Sequence, residues 1–321
     1  MIEDIEIKYS VGALLYSPAL NGRVADNIIS GRLGEMYSLA LCLEDTVSDS
    51  SVAAAEAQLY NTIKCIYQAA DDASVFIPKI FVRVREPEQM KRLWKSLRPF
   101  EDIITGFIAP KYSLDAAVRY NEEICGINGS SGKKLWMMPI LESRDIIEPT
   151  TRHEILGGIR GQINSVGEYI LNVRVGGNDF SNHFAARRHC DETIYDILPI
   201  AQLFGDILTY FSMDYVVSGP VWEYFSGEND EWKTGLRREL KLDRLNGFVG
   251  KTVIHPNQIP VVNEMLRVTR KDFEDAKTIL SWDSSGLQVG KSIGGERMNE
   301  VRTHSRWAQK IMLLAGIYGV G

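Results

Sequence analysis

Polar and charged residues stand at the ends of several strand-like segments of this sequence, where α/β proteins commonly place reacting groups. They are Glu44, Asp45, Arg83, Arg85, Lys111, Glu142, Asp179 and His255. Glu142 ends one segment and Asp179 follows the next after Gly176-Gly177, so we expect these two carboxylates to be neighbours. Mg²⁺ and Mn²⁺ accept carboxylate oxygens together with water or substrate oxygens. The pair therefore predicts a divalent-cation site, although a single acidic residue at a strand end is more often a helix cap or an ion-pair partner.

Arg83 lies within an otherwise apolar segment, FVRVR, where an unpaired guanidinium is costly. Arg83 therefore needs an anion. A carboxylate of a substrate and a structural ion pair with Glu44 or Asp45 both satisfy this need, and the sequence leaves the two open. His255, in TVIHP, is more often a structural histidine than a base.

Eight short apolar segments alternate with longer amphipathic ones, which is typical of parallel strands covered on both faces. The strand candidates span residues 11–18, 38–45, 79–85, 104–111, 134–143, 169–177, 214–222 and 247–256, with helical patterns that include 51–70, 87–97 and 191–208. No G-x-G-x-x-G motif follows a strand, so we predict an α/β protein with a closed (β/α)₈ TIM barrel over residues 1–282. The polar residues above then converge on one mouth of the barrel.

A Gly/Ser-rich loop and a helix follow the predicted barrel, over residues 283–321. Trp307, Ile311 and Leu314 are available to dock this C-terminal segment. We expect it to cover the barrel mouth or a neighbouring subunit, as a lid that excludes water.

Two helix starts are also predicted from local sequence. Thr151 with Glu154 fits a capping box before EILGGIRGQI. Pro260 suits the first turn of a single helix over residues 260–280, whose apolar stripe predicts a face that packs on the core.

The overall composition is that of a globular protein with a large core, since 45% of the 321 residues are hydrophobic and 24% are charged. The net charge of −6 gives no general attraction to nucleic acid or to anionic membranes. The acidic N-terminal residues do not resemble a secretory signal, and the longest uncharged apolar stretch, IMLLAGIYGVG, is shorter than the ~20 residues of a membrane span. The four cysteines form no C-x-x-C pair, which argues against a disulfide framework or a thiolate zinc site and favours the cytoplasm.

Several motifs occur in an order that resembles the HpcH/HpaI aldolase and citrate lyase beta-subunit family. LYSPALNGRVADNII is similar to its opening strand and loop, LCLEDTV to D-L-E-D-A-V, and FVRVR to V-R-V-N. FIAPK, PILES and VGGNDF resemble the following strand ends, GKTVIHPNQI is nearly identical to G-K-x-x-I-H-P-x-Q-I, and ERMNEVRTHSRWAQKIM follows the tail pattern. The resemblance runs almost from end to end. The segment NDFSNHFAARRHCDETIYD resembles a citrate-lyase-like branch of the family that is associated with tellurite-resistance gene neighbourhoods.

This resemblance implies a Mg²⁺-dependent carbon–carbon bond lyase or aldolase on a TIM barrel, acting through an enolate of a 2-oxo acid or an acyl thioester. It implies that Glu142 and Asp179 bind the metal and that Arg83 contacts the substrate and the enolate. Glu44 and Asp45 become either acid/base residues or residues that support those contacts. Glu300 falls where the family tail presents a catalytic Asp, commonly to a neighbouring subunit of a homo-oligomer, such as a trimer or hexamer. Substrate-binding positions are Arg83, Lys111, Gly177, Asn178 and His255.

The chain also departs from the family pattern. Cys42 replaces an Asp, Arg85 replaces an Asn, and Ala19 replaces a Gly in the loop expected to hold a CoA arm. Arg187-Arg188 adds positive charge that fits either a phosphorylated substrate or a solvent-exposed helix face. A 2-oxo acid, an acyl-CoA and a phosphorylated compound therefore stay open as substrates. A non-catalytic metal-binding barrel or ligand sensor, and a phosphate-substrate enzyme of the same fold, are the alternatives.

Overall fold

Eight parallel strands form a closed barrel in this computed structural model, which describes residues 2–283 and 286–321. The strands are β1 Ala13–Pro18, β2 Tyr37–Cys42, β3 Lys79–Arg83, β4 Ile104–Ala109, β5 Trp136–Leu141, β6 Val173–Val175, β7 Val217–Val221 and β8 Lys251–Val253. Each pairs with the next, and β8 closes the ring by pairing with β1, Ala13 opposite Lys251. All eight lie within the predicted segments to within one residue, so the predicted TIM barrel is confirmed.

Helices cover the outside of this barrel. They are α1 Ile2–Tyr9, α2 Val24–Ile29, α3 Val52–Ala69, α4 Pro87–Leu97, α5 Leu114–Asn128, α6 Arg152–Ser165, α7 Gly177–His183, α8 Leu198–Phe211, α9 Glu231–Asn246, α10 Gln258–Leu266, α11 Arg270–Leu280 and α12 Val301–Tyr318. Short 3₁₀ helices occupy Asp49–Ser51, Arg98–Ile103, Arg144–Ile146 and Ile194–Asp196. A two-stranded antiparallel sheet, β9 Val289–Lys291 and β10 Met298–Glu300, precedes α12.

Two helix predictions are wrong in detail, although Pro260 does lie in the first turn of α10 as predicted. Thr151 has helical backbone angles and makes no capping hydrogen bond through its side chain, so the predicted capping box with Glu154 does not form. The predicted helix over 260–280 is divided into α10 and α11. Val268 leaves the helical path there, because its N–H donates to the carbonyl of Gly319 and it forms a β-bridge with Val320.

The inside of the barrel is apolar over most of its depth and polar at its carboxyl end. Leu14, Phe81, Ile108 and Met138 are fully buried there and pack against one another. Further along β1 and β3 lie Tyr16 and Arg83. Cys42 ends β2, and Arg174 lies in β6. The core between the strands and helices is continuous and apolar, so it holds the polar end of the barrel in place.

The C-terminal helix α12 lies at the amino-terminal end of the barrel. The hydroxyl of Tyr318 donates to the carbonyl of Tyr9 at 2.6 Å, and Nζ of Lys310 donates to the carbonyl of Gly247 at 3.2 Å. Both carbonyls precede strands, and the catalytic mouth of a TIM barrel is at the opposite end. The structure therefore does not place this helix over its own barrel mouth, and a contact with a neighbouring subunit stays a prediction.

The described residues contain no helix that is long and apolar enough to span a membrane. All four cysteines are free thiols, in agreement with the expected lack of a disulfide framework.

Candidate active site

The carboxyl ends of the strands surround a cavity of about 210 Å³. The side chains that line it include Tyr16 of β1, Cys42 of β2, Arg83 of β3, Glu142 after β5, Arg174 of β6 and Thr252 of β8. Gly176, Gly177, Asn178 and Asp179, at the end of β6 and the start of α7, form one wall. The barrel mouth thus brings two guanidinium groups and several carboxylates into one enclosed space.

Glu142 and Asp179 face the same space beside Gly176. A Cβ atom built on Gly176 would lie 2.7 Å from Oε2 of Glu142 and 3.2 Å from Oδ2 of Asp179. The lack of a side chain at position 176 therefore leaves the room between the two carboxylates open. Burial raises the pKa of Glu142 to about 8; the positive charge of Arg83 opposes this shift, and the negative charge of Asp179 adds to it.

Arg83 contacts three carboxylates, one of which is Glu142. Its Nη2 atom lies 2.6 Å from Oε2 of Glu44, 3.1 Å from Oδ2 of Asp45 and 3.4 Å from Oε1 of Glu142. Burial alone would lower the pKa of Arg83, but Glu142, followed by Tyr16 and Glu44, raises it overall. The structural ion pair considered from the sequence is therefore present. The same side chain also lines the cavity, and its Nε atom has no hydrogen-bond partner in the described part of the chain.

Lys111 holds the same carboxylates from the solvent side. Its Nζ atom lies 2.5 Å from Oε1 of Glu44 and 3.3 Å from Oδ1 of Asp45. Its backbone N–H donates to Oε1 of Glu142 at 2.9 Å, with Lys111 in a left-handed conformation at φ 49°. Lys111 is exposed and does not line the cavity. It holds Oε1 of Glu142, while the other oxygen of this carboxylate, Oε2, faces Gly176.

Of the remaining predicted substrate-binding positions, two line the cavity and one does not. Gly177 and Asn178 line the cavity. His255 lies beside it, with its ring stacked on Phe225 at 4.5 Å between centroids and its Nδ1 accepting a hydrogen bond from the N–H of Asn257. The ring of His255 is therefore engaged by its own loop and does not line the cavity.

Two arginines considered from the sequence have structural roles. The guanidinium of Arg85 donates to the carbonyls of Leu43 and Val47 and so shapes the loop after β2. Arg188 is buried, and its Nε atom lies 3.1 Å from Oε2 of Glu239. Arg188 packs against Glu239 inside the protein and does not line the cavity, so it is not placed to contact a substrate there.

Glu300 does not line the cavity of its own chain. It ends β10 directly before α12, where its N–H donates to Nδ1 of His304 at 2.9 Å. The far end of α12 reaches the amino-terminal end of the barrel through Tyr318. The structure thus separates Glu300 from Glu142 and Asp179 within one chain, and a role in a neighbouring subunit's site stays a prediction.

A family model described as "C-C_Bond_Lyase of the TIM-Barrel fold" matches residues 5–320. The chain belongs to this family. It is a carbon–carbon lyase, as the sequence motifs predicted. The citrate lyase subunit beta of Leuconostoc mesenteroides subsp. cremoris is 33% identical to the lyase over 94 residues, a match that covers 28% of this chain and 30% of that relative.

Solved structures share the fold of this lyase. The protein CitE from Mycobacterium tuberculosis, in complex with magnesium, acetoacetate and coenzyme A, has a TM-score of 0.61 at 17% identity over 96% of this chain and 99% of that one. The citrate lyase beta subunit from M. tuberculosis with oxaloacetate and magnesium has a TM-score of 0.53 at 17% identity, over 81% and 98%. RipC from Yersinia pestis has a TM-score of 0.53 at 14% identity, over 80% and 95%.

The donor set of the lyase fits magnesium and does not fit zinc. Within residues 2–283 and 286–321, no three His, Cys, Asp or Glu side chains form a metal-binding group, so a closed zinc site is not built. Mg²⁺ is commonly held by one or two carboxylates, with water or substrate oxygens in the other positions. Glu142 and Asp179 provide such a pair. Burial, with a smaller contribution from the charge of Asp179, raises the pKa of Glu142, and a cation bound beside both carboxylates would favour their ionised forms.

A buried ion cluster next to β8 was not found from the sequence. Nζ of Lys251 lies 2.7 Å from Oε1 of Glu239 and 2.7 Å from Oδ2 of Asp243, with all three residues buried. Glu239 and Asp243 are four residues apart on α9, a spacing that puts both on one helix face and was a usable signal. The cluster ties α9 to β8 and does not line the cavity.

Gln258, which like Lys251 belongs to the GKTVIHPNQI segment, also has a structural role. Oε1 of Gln258 accepts hydrogen bonds from the N–H groups of Ile254 and His255, and its Nε2 donates to the carbonyls of Trp222 and Tyr224. The side chain of Gln258 therefore joins the loop after β8 to the segment after β7.

Arg174 was also missed from the sequence, although it lines the cavity. It lies in the middle of β6, in the segment NVRVGG. The signal was available, because Asn172 and Arg174 alternate with apolar residues in a strand predicted to be buried on both faces.

Proposed function

We propose that this lyase cleaves or forms a carbon–carbon bond of a 2-oxo acid with Mg²⁺ bound by Glu142 and Asp179. The observation that carries the proposal is the facing pair of carboxylate oxygens beside Gly176, with Arg83 3.4 Å from Glu142. When bound there, Mg²⁺ would act as a Lewis acid toward oxygens of the substrate. The remaining roles belong to side chains of the chain itself.

Arg83 is the residue best placed to neutralise charge on the substrate. Breaking a bond beside a carbonyl makes an oxygen negative, and a preorganised guanidinium stabilises such a charge in an enclosed site. Glu44 and Asp45 fix the orientation of Arg83 through its Nη2 atom, while its Nε atom is free of partners within the described residues. We therefore assign Arg83 to substrate binding and Glu44 to its positioning.

Proton transfer requires a group that solvent can reach. The Asp45 side chain is half exposed, at 50%, and it lines the cavity. Burial would raise its pKa, but Glu44, Arg83 and Lys111 lower it overall, so Asp45 acts as a base and not as an acid near neutral pH. Glu300 from a neighbouring subunit is the second proposed proton-transfer residue, within a homo-oligomer.

The relatives support this proposal by what they bind. Both M. tuberculosis proteins hold magnesium, with acetoacetate and coenzyme A in one and oxaloacetate in the other. For the present lyase we propose a small 2-oxo acid, since the cavity of about 210 Å³ suits a molecule of that size. The free cysteines support the proposed cytoplasmic location.

The test is an activity screen with defined metal content. The EDTA-treated protein is assayed with oxaloacetate and other 2-oxo acids, with and without Mg²⁺, for release of pyruvate or glyoxylate. We expect turnover only with Mg²⁺, its loss in Glu142→Gln and Asp179→Asn, and unchanged turnover in the exposed control Glu35→Gln. Turnover that is equal with and without Mg²⁺, or retained in both carboxylate variants, contradicts the proposal.

A further inference from the structure

Arg174 is a buried cation without an anionic partner. It lies inside the barrel between Ile140 of β5 and Ser218 of β7, and only 2% of the residue is exposed. Its Nη2 atom donates to Oγ1 of Thr252 at 2.6 Å. Its Nη1 atom has no hydrogen-bond partner in the described part of the chain, and no carboxylate there lies within ion-pair distance.

The contrast with Arg83 shows that this arrangement is unusual for the site. Nη2 of Arg83 contacts three carboxylates, whereas Arg174 contacts the hydroxyl groups of Thr252 and Tyr16 and no carboxylate among the described residues. Burying a guanidinium without a counter-charge is costly, and an apolar side chain at this position would avoid that cost. The side chain nevertheless lines the cavity, and its Nη1 atom is left without a partner among the described residues.

Further polar groups lie beside Arg174 within the barrel. Both amide atoms of Asn172 and the hydroxyl of Ser218 are buried without a partner among the described residues. Asn172 precedes Arg174 by two residues, directly before β6, and Ser218 is the register partner of Arg174 on β7. The barrel interior beside Arg174 therefore holds further hydrogen-bonding groups that no described residue satisfies.

We propose that Arg174 determines substrate specificity by binding a second, distal carboxylate of a dicarboxylic 2-oxo acid. This inference rests on the proposed function, in which the 2-oxo carboxylate end binds near Glu142 and Asp179. Gly176, which lies beside those carboxylates, follows Arg174 by two residues at the end of β6, so their Cα atoms are about 7 Å apart at the usual rise per residue. A four- or five-carbon diacid spans such a distance, and a guanidinium fork matches a carboxylate.

The test compares two acids that differ only at the distal end. 2-Oxoglutarate carries a carboxylate there, and 2-oxopentanoate carries a methyl group at the same chain length. Calorimetry with each acid gives the ratio of their dissociation constants in the wild type, in Arg174→Gln and in the control Arg187→Gln, whose side chain is 78% exposed. Each protein is measured with Mg²⁺ and with EDTA.

We expect the wild type and Arg187→Gln to bind the dicarboxylate at least about tenfold more tightly, the factor for one hydrogen bond between charged groups. In Arg174→Gln the ratio should fall to about one, with unchanged affinity for 2-oxopentanoate. Arg174→Lys, which keeps the charge and loses the fork, should give an intermediate ratio. The melting temperature of ligand-free Arg174→Gln should not fall, because the variant removes an uncompensated buried charge.

Three results would overturn the inference: a ratio of one in the wild type, a ratio retained in Arg174→Gln, or tighter binding of inorganic phosphate than of the dicarboxylate. Failure of the proposed function looks different. If Mg²⁺ does not tighten the binding of either acid but the Arg174-dependent ratio persists in EDTA, the proposed metal site is wrong and the proposed role of Arg174 stands. If Mg²⁺ strengthens both acids equally and the ratio is one, the metal site stands and the role of Arg174 fails.

Discussion

The affinity of the proposed site for Mg²⁺ should depend on pH through one residue, Glu142. Burial raises the pKa of this carboxyl to about 8, with Arg83 opposing the shift and Asp179 adding to it. A cation that binds to Glu142 must displace the proton from any molecule in which it is protonated. Below a pKa of about 8, the affinity should therefore fall by up to about tenfold for each pH unit, or about 50-fold between pH 8, where half of the carboxyl groups are already protonated, and pH 6.

The same shift makes a prediction for the stability of the metal-free protein. The folded-state pKa of Glu142 is raised above its ordinary value of 4.5, so the free energy of unfolding gains a contribution that is complete below pH 4.5. This contribution is lost as the pH rises through about 8, and it amounts to at most about 5 kcal/mol. The variant Glu142→Gln has no such proton, so its stability relative to the wild type should increase over this pH range.

Both effects can be measured on the same samples. Calorimetric titration with Mg²⁺ in buffers of different ionisation enthalpy gives the affinity and the number of protons released on binding. Urea denaturation in EDTA gives the free energy of unfolding. Glu35→Gln makes the same chemical change at an exposed position and should behave as the wild type. A Mg²⁺ affinity that changes by less than about threefold between pH 6 and pH 8, with no proton release, would refute the reasoning.

Three further predictions test other parts of the structure. Gly176→Ala should abolish Mg²⁺ binding in calorimetry, because its Cβ would lie 2.2 Å from Cβ of Glu142, whereas Gly161→Ala has open space and should bind normally. Lys251→Met should lower the free energy of unfolding in urea by about 3–5 kcal/mol, because it leaves two buried carboxylates without their cation; a loss below about 1 kcal/mol would contradict this role. Mixing inactive Glu300→Ala and Glu142→Gln subunits should restore part of the turnover if Glu300 serves a neighbour, and no restored turnover in a mixed oligomer would exclude that role.

The barrel could be predicted from the sequence because its strands are local patterns. Each strand is a short apolar segment bounded by turn residues, and the polar residues that break the pattern at strand ends mark the mouth. Glu142, Asp179 and Arg83 were found in this way. The structure brings them together because carboxyl ends of parallel strands meet at one end of a barrel.

The residues that were missed depend on contacts between distant segments. Lys251 is recognisable only when its partners on α9 are known, and Arg174 only when the inside and outside of β6 are distinguished. The position of α12 depends on hydrogen bonds from Tyr318 and Lys310 to carbonyls at the other end of the barrel. Nothing in the local sequence of α12 specifies those partners, so the predicted lid over the chain's own mouth could not be tested without the structure.

The structural role of GKTVIHPNQI affects how sequences of this type can be annotated. This segment is the most specific motif of the chain, yet its Lys251 and Gln258 side chains are engaged in packing and lie outside the cavity. A homologue can therefore score well in a sequence search and lack any activity, as a pseudoenzyme would. For transfer of an enzymatic annotation, positions 142, 176 and 179 should be inspected separately from the score. In this chain the most specific motif therefore reports ancestry more than chemistry, although two of its residues, Thr252 and Ile254, line the cavity.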